Sequence, residues 1–105
     1  MKITIRTKEV DLTLPLNQYI NQKIGSLSRF VKSFDKEGVA EIWLEISRTT
    51  KHHRQGKVFR AEANLRLPGK ILRAESENWD IRIAIDQIKD KMQREIKKYK
   101  ELTRR

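Results

Sequence analysis

Lys91, Arg94 and Lys98 recur three and four residues apart near the end of the chain, and Arg82, Lys89 and Lys100 form a second row in the same stretch. At roughly 100° per residue, each set makes a stripe along an α-helix. Their chemistry is charge-assisted hydrogen bonding to phosphate or carboxylate oxygens, not proton transfer. Between the stripes Ile81, Ile85, Ile88, Met92, Ile96, Tyr99 and Leu102 recur every three or four residues as one apolar seam. Asp86, Asp90 and Glu101 are expected to point mostly away from that seam. The stretch 78–105 is therefore predicted to be a helix with a greasy face flanked by two basic rows. The plain alternative is a solvated amphipathic helix whose lysines keep it soluble.

Few other residues offer chemistry. His52 and His53 are the only histidines, adjacent in a basic stretch, with no third ligand in view, so a metal site is not expected. Asp86 and Asp90 lie four apart, but nothing suggests the burial that would split their pKa values into an acid and a base. The glycines are scattered and make no phosphate-cradling loop. Trp43 and Trp79 could stack on a base or cover a sheet edge. The chain has no cysteine, which excludes disulfides, thiolate catalysis and cysteine-bound metal. The expectation is a protein without catalytic residues, metal or cofactor, and without a small-molecule substrate.

The charge balance points to a partner. A net charge of +10 and a pI of about 10.2 accompany 36% charged and 37% hydrophobic residues. That composition with clear periodicity argues against disorder. Excess positive charge opposes folding by self-repulsion, so an acidic partner is its natural counterpart. Nucleic acid and anionic lipid are the candidates. The long helix has few of the aromatics that membrane-surface helices insert, which disfavours lipid. No signal-peptide run opens the chain and no stretch approaches bilayer length, so a cytoplasmic protein with no membrane partner is expected.

The elements that must position the basic helix follow in order. Residues 2–6 alternate, with Ile3 and Ile5 on one side, as a half-buried strand does. Thr13 is a predicted N-cap, with Pro15 tolerated in the first turn. Leu16, Tyr19, Ile20, Ile24, Leu27, Phe30 and Val31 predict one helix ending near Ser33. Gly25 and Ser26 inside it suggest a close approach by another backbone. Lys23 lies at the edge of the apolar arc, where its stem can run along the seam and leave the ammonium free. Ala40, Ile42, Leu44 and Ile46 mark a second strand. Arg48 to Lys57 is predicted to be a basic loop. Phe59, Ala61, Ala63, Leu65 and Leu67 mark a third strand, Pro68-Gly69 a tight turn, and Lys70 to Ser76 a fourth strand. Glu75, Glu77 and Asp80 gather before the last helix, where acid suits its dipole.

The order is β-α-β-β-β-α, read as a single domain over 1–105. The expected fold is an α+β two-layer sandwich: a four-stranded mixed sheet with both helices packed on one face. The other face carries mixed Glu and Arg that can pair across strands. A groove between the helices would then have basic rims that read RNA shape through phosphates. The sheet lacks the aromatic run of an RRM, and the architecture is closer to a double-stranded-RNA-binding domain.

These features together resemble the ribosome hibernation promoting factor and ribosome-associated translation inhibitor family. The matching features are Leu67-Pro68-Gly69, Arg73-Ala74-Glu75, Asp80, Ala84-Ile85-Asp86, and Asp90-Lys91 with Arg94 and Lys98 beyond. The opening I-T-I-R and the Thr13 helix fit as well, so the likeness covers essentially the whole chain. The resemblance implies a protein that binds the small ribosomal subunit through 16S rRNA in the mRNA and tRNA channel. It would block translation and preserve idle ribosomes in stationary phase or stress. By matching position, Lys23, Lys91, Arg94 and Lys98 would face RNA, with Arg82, Lys89 and Lys97 as further cations. Lys51, His52, His53 and Arg54 are candidate loop contacts. Arg82 stands where the family usually has Tyr, which removes an aromatic contact or adds a phosphate contact. Trp79 stands where acid is common. The resemblance implies a short form without a C-terminal dimerisation domain, so a second hibernation factor would be needed to pair ribosomes. The competing readings are a general double-stranded-RNA module and a protein-interaction regulator of a transcription factor using the Glu/Arg sheet face.

Overall fold

The structure, a computed structural model, describes residues 1–33, 35, 37–49 and 58–103. Strands β1 (Lys2–Lys8), β2 (Glu41–Thr49), β3 (Val58–Leu67) and β4 (Lys70–Asn78) and helices α1 (Leu14–Gly25), α2 (Ser28–Val31) and α3 (Ile81–Thr103) follow the expected order. The sheet runs β1-β2-β3-β4, with β1 parallel to β2 and the other pairs antiparallel.

Side-chain alternation builds the core. Register sets Ile3 beside Ile42, Ile42 beside Leu65 and Leu65 beside Leu72. One residue pair along, Ile5, Leu44, Ala63 and Ala74 line up in the same way. These positions share one sheet face because side chains alternate with period two. The helices lie on that face, α1 against β1 and α3 across β3 and β4, and they also touch each other. Ala61, Ala63 and Ala74 give the flat floor that lets α3 settle Ile85, Ile88, Met92 and Ile96 into full burial.

Local chemistry sets the boundaries. The Thr13 hydroxyl oxygen accepts from the Leu16 N–H at 3.3 Å and starts α1. Asp80 does the same for α3, its Oδ1 accepting from the Arg82 N–H at 2.8 Å. Gly69 takes φ +71°, as the Pro68-Gly69 turn requires.

Four expectations are corrected. The first helix is not continuous to Ser33 but breaks at Ser26 and Leu27. There the Ser26 hydroxyl donates to the Lys23 carbonyl at 2.6 Å, and the Leu27 N–H turns back three residues to Ile24. Gly25 admits no close backbone: a Cβ there would meet only Ile3 Cδ1 at 3.8 Å, an ordinary contact. Arg48 and Thr49 belong to β2, pairing with Phe59 and Val58, instead of opening the loop. The apolar seam of α3 stops at Tyr99, and Leu102 is 68% exposed. The helix, 23 residues and roughly 34 Å long, outruns the nine-residue strand of roughly 30 Å beneath it. The Tyr99 hydroxyl marks the limit by donating to the Pro68 carbonyl at 3.1 Å.

Candidate nucleic-acid interface

The strand order decides which side of α3 each basic stripe occupies. With β4 at the sheet edge and α1 on the other side, the helix has one flank over the open edge and one flank against α1.

Lys91, Arg94 and Lys98 take the edge flank. They line a groove of about 560 Å³ with Arg73, Glu62, Glu75, Ala74 and Glu95. Lys91 Nζ donates to the backbone carbonyl of Glu75 at 2.6 Å, which fixes its side chain across the groove. Lys98 Nζ lies 3.8 Å from Glu95, a solvated i, i+3 pair that orients it weakly. Glu62 and Glu75 are held from the open face of the sheet, where one Arg60 guanidinium bonds both, at 2.9 Å to Glu62. That bond, with a second from Asn64, keeps the Glu62 carboxyl below the usual carboxylate range. Arg60 therefore neutralises part of the acid bordering this groove, and Arg73, Lys91, Arg94 and Lys98 keep a cationic excess.

Lys23, Arg82 and Lys89 take the flank facing α1. The groove there, about 370 Å³, is lined by Gln22, Lys23, Ser26, Asp86, Lys89 and Asp90. It is of mixed charge, with two ammoniums against two carboxylates. Lys89 Nζ donates to Gln93 at 2.9 Å and sits 3.8 Å from Asp90. Lys97 is exposed on the outer surface of α3. The Lys23 ammonium and the Lys91, Arg94 and Lys98 cations are thus placed on opposite flanks of one helix, not around a single inter-helix groove. Lys51, His52, His53 and Arg54 lie outside the described residues.

Asp86 is corrected: it does not point away but faces α1. Its Oδ1 accepts from the Tyr19 hydroxyl at 2.6 Å and lies 3.8 Å from Lys23 Nζ. That hydrogen bond, reinforced by burial, pushes the Tyr19 phenol up to about 12. The Tyr19 ring also carries two cations, with Arg82 Cζ 4.7 Å and Lys23 Nζ 5.7 Å from its centroid. Sequence reading placed Tyr19 only in the apolar seam of α1. Its hydroxyl, at the edge of that seam, was the signal for a polar role. Arg73, also missed as a cation of the site, alternates outward on β4 and enters the groove only because β4 is the edge strand.

Trp43 is already stacked, with the Arg66 guanidinium 4.6 Å from its ring and its indole N–H bonded to Glu41. Among the described residues no group of three or more His, Cys, Asp or Glu is arranged to hold a metal ion. Among the described residues no helix is long and apolar enough to cross a membrane.

The fold and these side chains define a small α+β binding domain whose chief exposed chemistry is ammonium and guanidinium groups along one helix. The chain belongs to the Sigma 54 modulation protein / S30EA ribosomal protein family, whose model matches residues 3–104. A ribosome hibernation promoting factor of Pseudomonas putida is 34% identical over 101 residues, covering 96% of this chain and 88% of that protein. A ribosome hibernation promotion factor of Deinococcus radiodurans is 30% identical over 93 residues. That match covers 89% of this chain but only 46% of the relative, so the chain spans about half its length. The crystal structure of the Thermus thermophilus Protein Y N-terminal domain superposes with a TM-score of 0.72 at 25% identity, covering 94% of this chain and 99% of that one. A ribosomal subunit interface protein from Coxiella burnetii shares the fold, with a TM-score of 0.75 at 20% identity over 95% and 98% of the two chains.

Proposed function

We propose that this chain is a ribosome hibernation factor that binds the small ribosomal subunit through 16S rRNA. It occupies the channel used by mRNA and tRNA and stops translation by filling space, with no reaction. Family membership supports the ribosome as target, and the relatives' names support hibernation as the setting, in the cytoplasm of stationary or stressed cells. The observation that carries the RNA-binding reading is the edge groove of α3, where Lys91, Arg94 and Lys98 converge with Arg73. Cations in such a row match phosphate oxygens and read backbone shape.

The test is co-sedimentation with purified small subunits, paired with cell-free translation. Replacing Lys91, Arg94 and Lys98 by Glu should abolish both binding and inhibition while circular dichroism shows the fold intact. Retained sedimentation by that variant would remove the edge groove from the mechanism. If about six phosphates are neutralised, wild-type affinity should fall roughly a thousandfold between low and moderate salt. Equal affinity for an unrelated RNA hairpin would favour a general double-stranded-RNA module instead.

A further inference from the structure

We propose that Tyr19 is a platform that fixes Arg82, with Lys23 beside it, as a second phosphodiester-binding subsite on the α1 flank of α3. This inference deepens the ribosome-binding reading and rests on it.

Arg82 is held at two points. Its backbone N–H is bound by the Asp80 carboxylate at 2.8 Å, and its guanidinium lies 4.7 Å from the Tyr19 ring centroid. Stacking engages the flat face of a guanidinium and leaves the N–H groups in its plane free to form a fork. Among the described residues no carboxylate forms a salt bridge with Arg82, so that fork is not spent internally. The ring is anchored as well. Its hydroxyl donates to Asp86 at 2.6 Å, which ties α1 to α3 and limits rotation of the ring away from Arg82. Asp86 also draws Lys23 to the same ring, 3.8 Å from the carboxylate and 5.7 Å from the centroid.

A planar fork and a point charge beside one ring suit a phosphodiester strand: the fork takes two oxygens of one phosphate and the ammonium neutralises a neighbour. The edge groove lies across α3 from this subsite. The helix would then sit between two lengths of backbone, with Tyr19 as a positioning residue and Arg82 and Lys23 as the contacts.

The experiment measures affinity for purified small subunits in four proteins: wild type, Arg82→Lys, Tyr19→Leu, and the double variant. Arg82→Lys keeps the charge but loses the planar fork and its stack, so it should weaken binding roughly tenfold. Tyr19→Leu should weaken it by a similar factor, and the double variant should be no weaker than either single one, because both changes undo one arrangement. Arg82→Lys binding as tightly as wild type, or losses that multiply in the double variant, would overturn the inference. If Tyr19→Leu fails to fold in a thermal melt, Arg82→Lys decides alone. Wild type failing to bind small subunits at all would overturn the functional reading and this inference together, which separates the two failures.

Discussion

Replacing Tyr19 by Phe removes one oxygen and leaves the ring in place, so it isolates the bond between α1 and α3. A hydrogen bond to a charged group contributes about 1.5–3 kcal/mol. The Asp86 side chain is 42% exposed, so water replaces part of the loss, and about 1 kcal/mol remains. For a chain of 105 residues, that is a drop in Tm of roughly 4 °C. Thermal denaturation followed by circular dichroism at neutral pH measures it. The pH dependence adds a second check with a defined sign. The folded phenol titrates at about 12, above the unperturbed value of about 10. A pKa raised on folding means that the native state holds its proton where the unfolded state has lost it. The stabilisation is therefore complete below about pH 10 and is lost as pH rises towards 12. The gap between wild type and Tyr19→Phe should be flat through neutral pH and close over that alkaline window. Equal melting at neutral pH, or a gap that persists beyond the window, would refute the reasoning.

Two further outcomes follow from the packing. Ile88 is fully buried where α3 meets the sheet, so Ile88→Ala should cost about 2–5 kcal/mol, read as a lower urea midpoint. Gly69 has open space around it but φ +71°, so Gly69→Ala should cost about 1 kcal/mol through backbone strain alone; Gly69→Asn should recover much of that in the same urea titration.

Legibility in the sequence divided along physical lines. Ile42, Leu44 and Ile46 showed their buried face because a strand's alternation is a local pattern, and the helical period of Ile85, Ile88, Met92 and Ile96 is equally local. Those signals sufficed for the element order and the layer arrangement. Leu102 was misplaced because the seam of a helix ends where the sheet below it ends, and that length is written elsewhere in the chain. The break at Ser26 depends on one hydroxyl choosing the Lys23 carbonyl. At the candidate site the two basic rows were visible, but which row faces α1 and which the open sheet edge was not, since that follows from β4 being an edge strand. Tyr19 and Asp86 are 67 positions apart, and no local spacing announces that they meet. The Arg82 position, read as either a lost aromatic contact or a gained phosphate contact, acquires a third element once Tyr19 is seen beneath its guanidinium.

Two bonds from α3 have a consequence for how the domain behaves in a crowd. Lys91 occupies the Glu75 carbonyl on β4, one of the two edge strands, and Tyr99 occupies the carbonyl of the Pro68 turn at its end. A passing extended peptide needs an unbroken ladder of free backbone groups to zip onto a sheet, and here a charged side chain already lies over the rail. The same lysine thus discourages a second extended chain from pairing along β4 at that point of the sheet edge.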